Sequence, residues 1–205
     1  MDKLLLLYLI GETNKKDSMD GNFKLQKLPF LAELGMFKER LKGFNYTFFR
    51  YLWGPMTKEI YKDKDTLVQN GFIVSSRTIK LTPRGNSVVS DFYDVLNSKQ
   101  NLEFKEKIDE VVDKFARYSF DSLKRYVYNI KLAPVDIPDK ELRIEDIPIG
   151  YDIIVPLTGE ESKKTFFIED NYLESFHLSI ISSLEDLEES RIISASKCFE
   201  LSYGL

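Results

Sequence analysis

The hydrophobic and polar positions of this chain read in one unbroken register only between residues 44 and 85. An aromatic segment (Phe44, Tyr46, Phe48, Phe49, Tyr51) is followed by a Gly54-Pro55 break and by helical spacing over 57–70. After Gly71 come two β-prone runs, 72–74 and 78–81, joined by the polar turn Ser75-Ser76-Arg77 and closed by a Pro83-Arg84-Gly85 stop. Helix, strand, turn, strand is the order of a winged helix. Upstream, Leu4 to Ile10 form an apolar run flanked by Asp2 and Glu12. It is too short to span a bilayer and has no small-residue cleavage site, so it predicts a core helix in a cytoplasmic protein. The polar residues 11–21 read as a loop. A second helix, from Asn22 to Gly35, puts Leu25, Leu28, Leu31 and Leu34 on a buried stripe and leaves Lys24, Lys27 and Glu33 outside. Pro29 removes a backbone donor from its middle and predicts a kink.

Downstream, apolar spacing predicts helices over 86–96, 102–118 and 121–132. Pro134, Pro138 and Pro148 mark a boundary, followed by strands over 151–157 and 165–168 and an amphipathic helix over 172–189. The expected fold is mainly α with a small antiparallel β wing over 1–133, a winged-helix-like body, and a small α+β extension over 134–205. The expected core of the body is Leu25, Leu28, Leu31, Phe48, Tyr51, Trp53, Ile60, Leu67, Phe72, Ile79 and Leu81.

Charge divides the chain as the prolines do. Residues 1–133 hold 23 Lys and Arg against 17 Asp and Glu, whereas 134–205 hold 6 against 16. A basic body joined to an acidic segment points to different partners for the two parts, or to a tail that folds back. With one cysteine, Cys198, and one histidine, His177, neither a disulfide framework nor local zinc ligands can be assembled. The glycines form no phosphate-binding loop, and no nucleophile and base stand together. The expectation is therefore no catalytic residue, no metal and no cofactor. The basic residues Lys58, Lys62, Arg77, Lys80 and Arg84 lie on the helix and wing that winged helices use on DNA. Acids interleaved with Lys58 and Lys62 predict i,i+4 ion pairs on that helix and weak attraction to phosphate.

Three segments carry a family resemblance. They are Gly21-Asn22-Phe23-Lys24-Leu25-Gln26-Lys27-Leu28-Pro29-Phe30, the strand that runs into Trp53-Gly54-Pro55-Met56, and Leu67-Val68-Gln69-Asn70-Gly71-Phe72-Ile73. Over about residues 1–130 the chain resembles the Panacea family of SocA-like antitoxins and proteolytic adaptors. Those proteins carry a Lys-Leu-Gln-Lys-Leu helix, an aromatic strand ending in Gly-Pro and a helix closing in Asn-Gly-Leu-Ile. The resemblance implies a non-enzymatic protein that neutralises a toxin or presents a partner for degradation. The acidic region 134–205 departs from shorter members. Its helix supplies the expected partner-binding residues: Tyr172, Leu173 and Phe176 as anchors, with Glu174, His177 and Glu185 beside them. That helix docks either on a partner protein or on its own body. The alternative function is a transcription regulator that binds DNA through Lys58, Lys62, Arg77, Lys80 and Arg84. No membrane is expected as a partner.

Overall fold

A computed structural model of the chain describes residues 1–169 and Tyr172. The protein is mixed α/β, with six α-helices and small, mostly antiparallel sheets among the described residues. Helix α1 (Asp2–Lys16) runs through the middle of this unit, and Leu4 to Ile10 are all buried because the helix is covered on every side. It continues past Ile10 through the residues expected to form a loop. At Gly11 a Cβ would stand 2.9 Å from Leu81 Cδ1, so the glycine admits that side chain close against the helix. Strand β1 (Met19–Asp20) leads into helix α2 (Gly21–Lys38), which continues through Pro29 and beyond Gly35.

The aromatic segment then builds the second sheet. After β2 (Leu41–Lys42), strands β3 (Phe48–Tyr51) and β4 (Gly54–Met56) form a hairpin in which Tyr51 pairs with Gly54. Only Leu52 and Trp53 are left for the loop. Gly54 has φ +91°, a conformation that side chains with a Cβ rarely adopt. Phe44, Tyr46 and Phe48 face inward, with Phe44 stacked on Tyr46 at 5.3 Å and Phe30 edge-on to Phe48 at 5.4 Å.

Helix α3 (Glu59–Gln69) buries Ile60 and Leu67 and ends at Asn70-Gly71, with Gly71 at φ +68°. Strands β5 (Ile73–Ser75) and β6 (Thr78–Leu81) pair as an antiparallel hairpin, and β1 joins β6 to give the order β1-β6-β5. The Pro83-Arg84-Gly85 stop proves to be a start: Pro83 opens helix α4 (Pro83–Asn97), and the Thr82 hydroxyl accepts from Gly85 N. Gly85 is needed because a Cβ would fall 2.0 Å from the Phe72 carbonyl oxygen.

Helices α5 (Leu102–Phe115) and α6 (Phe120–Tyr128) pack on α2. The chain continues through β7 (Lys131–Leu132), β8 (Leu142–Arg143), β9 (Asp152–Ile154) and β10 (Lys164–Thr165). Strand β9 is antiparallel to β3, and β10 is parallel to β2. Ile144, Ile147, Ile153, Ile154 and Phe166 are buried. The first compact unit therefore runs from Met1 to Phe167, and a second from Ile168 onward. Residues 134–167, read from the sequence as part of an extension, belong to the first unit. That unit carries 27 basic and 25 acidic residues, and residues 168–205 carry 2 and 8. In the second unit, the Tyr172 backbone N–H donates to Glu169 O at 3.0 Å and the Tyr172 side chain is exposed.

Candidate protein-interaction site

Helix α2 holds four polar side chains in the interior, three of which the apolar spacing placed outside. Lys24, Lys27 and Glu33 are each 3% exposed or less, as is Gln26. The spacing fails here because α2 is enclosed by α1, α5, α6, β1, β2 and β4, which leaves no solvent face for polar residues. Each polar group instead meets backbone from another segment. Lys24 Nζ donates to Ala116 O at 2.6 Å, at the C-terminus of α5, and to Ser18 O at 3.1 Å, with Asp17 and Asp20 within 3.4 Å. Gln26 answers both backbone groups of buried Thr57, its Nε2 donating to Thr57 O and its Oε1 accepting from Thr57 N, each at 2.9 Å. Lys27 Nζ donates to Pro55 O at 2.6 Å. Glu33 Oε2 accepts from Phe44 N at 3.0 Å, while its Oε1 has no hydrogen-bond partner among the described residues. Burial pushes the Glu33 carboxyl up to about 8 and the Lys27 ammonium down to about 7, the latter helped by the neighbouring Arg50 charge.

Lys27 is the floor of a cavity of about 230 Å³. Its walls are Asn22 and Phe23 from the first turn of α2, Tyr51, Trp53, Gly54 and Met56 from the β3–β4 hairpin, Tyr61 from α3 and Phe120 from α6. Tyr51, Leu52 and Trp53 are exposed, at 41%, 57% and 53%, and Phe120 at 47%. Tyr51 and Trp53 therefore leave the expected core: Tyr51 alternates to the face of β3 opposite buried Arg50, and Trp53 lies in the two-residue loop, which aims its side chains away from the sheet. Leu81 is half-buried, and the remaining expected core residues are buried. The exposed rings form a connected set. Phe120 lies 4.2 Å from Phe23 and 6.1 Å from Trp53, centroid to centroid. The Tyr128 hydroxyl fixes the hairpin by donating to Leu52 O at 2.9 Å. Lys124 Nζ sits 4.7 Å above the Trp53 ring, and Lys64, bonded to Asn22 Oδ1 at 3.3 Å, lies 5.7 Å from the Tyr61 ring.

The expected DNA-facing residues lie on three elements. Lys58 and Lys62 are exposed one turn apart at the start of α3, Arg77 is exposed in the β5–β6 turn, and Lys80 is exposed on β6 beside Val74. Arg84, in the first turn of α4, is half-buried with its guanidinium 5.1 Å from the Phe72 ring. The i,i+4 ion pairs expected on α3 do not form among the described residues. Asp63 turns instead to Lys3 at 2.9 Å and to the Tyr46 hydroxyl at 2.8 Å. Of the expected partner-binding residues, Tyr172 is described, whereas Leu173, Glu174, Phe176, His177 and Glu185 lie outside the described residues.

Among the described residues no helix is long and apolar enough to cross a membrane, and no group of three or more His, Cys, Asp or Glu side chains is placed to hold a metal ion. No family model, curated protein or solved structure matches the chain. The aromatic cavity was legible in the sequence only as separate pieces, since its walls come from four elements and the sequence sent two of its members, Tyr51 and Trp53, inside.

Proposed function

We propose that this chain is a non-enzymatic protein-interaction module, an antitoxin that neutralises a partner toxin or an adaptor that presents a partner for degradation. Its binding surface is the aromatic patch around Trp53. The observation that carries this reading is a tryptophan, a tyrosine and a phenylalanine left in solvent around a cavity, at the tip of a hairpin held by glycine geometry and a Tyr128 hydrogen bond. Large apolar side chains grouped on a fixed surface are the material of binding hot spots. The family resemblance supports the same surface, because the Gly21 to Phe30 motif supplies the floor and one wall and the Trp53-Gly54-Pro55-Met56 motif another. The proposed binding surface lies on the first unit, and the 172–189 segment, apart from Tyr172, lies outside the described residues.

A specific observation also favours a second reading. The sheet order β1-β6-β5, with α3 directly before the β5–β6 hairpin, is compatible with a winged helix that binds DNA. Lys58, Lys62, Arg77 and Lys80 have no ion-pair partner among the described residues, and Asp63, one of the interleaved acids, is engaged with Lys3 of α1, while Glu59 and Asp65 stay exposed on α3.

Two sets of variants separate the readings. In cells, Trp53→Ala with Phe120→Ala should abolish recovery of a partner protein that co-purifies with the wild type, while alanines at Lys58, Lys62, Arg77 and Lys80 leave recovery unchanged. Submicromolar, sequence-selective duplex binding, with a salt dependence that falls by about 0.9 in slope for each lysine or arginine lost, reverses the order of the two.

A further inference from the structure

We infer that the Trp53 cavity takes an acidic peptide, seating one aromatic or large aliphatic side chain against Phe23, Trp53 and Phe120 and bringing a carboxylate to Lys27. This rests on the interaction reading above and names the chemistry of its partner.

Charge carries the inference. None of the ten residues lining the cavity is acidic, while a lysine forms its floor and two more, Lys64 and Lys124, stand on ring faces at its rim. Lys27 has three donors, yet its one hydrogen bond among the described residues is to the Pro55 carbonyl, and its Nζ stands 5.1 Å from the Phe23 ring. Arg50 lies on the strand paired with Pro55 and is 7% exposed. Its Nε donates to Ile144 O, its guanidinium lies 5.2 Å from the Tyr128 ring, and its Nη1 has no hydrogen-bond partner among the described residues. Neither Lys27 nor Arg50 forms an ion pair among the described residues. Buried charges ordinarily occur paired, and burial beside the Arg50 charge already pushes Lys27 toward its neutral form, so this pair of groups lacks a counter-ion that would hold Lys27 protonated. A ligand carboxylate would supply the missing counter-ion where the cavity opens on Lys27. Among the described residues Lys124 likewise forms no ion pair, and Lys64 pairs only with Asp65, at 3.6 Å, so the rim attracts the same sign of charge.

Size and surface identify the rest of the ligand. A cavity of about 150 Å³ accepts benzene, so about 230 Å³ accommodates one ring or branched aliphatic side chain. The exposed apolar surface continues past the cavity onto Leu52. A peptide reaches both; a small free carboxylate fills only the cavity.

The test uses the full chain. A displayed library of random heptapeptides is selected on it, and the enriched sequences are synthesised. They are titrated by fluorescence of Trp53, the one tryptophan in the chain. The expected result is Asp or Glu beside an aromatic or aliphatic residue, with affinity falling about tenfold or more when the peptide's acid is exchanged for its amide. The same loss is expected in Lys27→Met, and the two losses should not add. If Lys27→Met does not fold, the amide exchange measured on wild type and on Lys124→Ala decides. Peptides without acidic preference, or with affinity indifferent to the amide exchange, overturn the inference; if Trp53→Ala still abolishes their binding, the interaction reading stands. No enrichment, or binding indifferent to Trp53→Ala, overturns both.

Discussion

Gln26 shows how a single side chain can hold a connection in place. It satisfies both backbone groups of Thr57, where the chain leaves β4 for α3, and Thr57 is fully buried. Gln26→Leu keeps the volume but strands a buried N–H and C=O, so it should cost about 2 kcal/mol or more in urea denaturation. Glu33 gives the chain a pH dependence. Its folded carboxyl titrates at about 8 against a usual 4.5, so between those values the native state holds a proton that the unfolded chain has released. Stability is therefore greatest below about 4.5 and is lost as pH rises through 8. Asp2, also raised by burial, acts in the same direction. Lys27 works oppositely but at higher pH. Its ammonium is lowered to about 7 from 10.5, so its contribution rises across that interval. From pH 5 to 7 the Glu33 effect should dominate, and unfolding free energy should fall by up to about 3 kcal/mol, one proton over two pH units. Glu33→Gln should remove most of that slope.

At the scale of elements, local spacing was a sufficient guide wherever one face is buried and the other wet. Residues 78–81 form β6 at the predicted bounds, α5 begins at Leu102 as predicted, and Ile60 and Leu67 face inward from α3. Spacing was insufficient for α2. An enclosed helix has no polar face to display, and which carbonyls its lysines reach depends on segments 28 and 92 residues away. It was insufficient for Trp53 too, because an aromatic residue reads as core unless the two-residue turn is recognised. The candidate site, unlike much of the core, was therefore poorly legible. Truncation measures the difference. Leu28→Ala and Leu67→Ala should each cost about 2–5 kcal/mol, as for fully buried leucines, whereas Trp53→Ala should change stability by less than about 1 kcal/mol. A Trp53 loss as large as that of Leu28 would place the indole in the core.

For the whole molecule, the boundary between the two units matters more than the proline-marked boundary in the sequence. A chain ending after Phe167 retains β9 against β3, β10 against β2, and the buried Ile153, Ile154 and Phe166. It should melt cooperatively. A chain ending at residue 133 loses all of these and exposes an edge of β3, so it should aggregate or melt well below the longer form. Equal melting of the two would show that the strands after 133 contribute nothing.

The central claim is that the hairpin tip at Trp53 touches a partner protein, and site-specific photo-crosslinking in the native cell tests it most directly. A photoreactive phenylalanine analogue placed at Trp53 should give one discrete cross-linked protein species that is absent when the analogue replaces Val74, which is comparably exposed at 55% on the β5–β6 hairpin. No cross-link at Trp53, or the same species from both positions, would contradict the account.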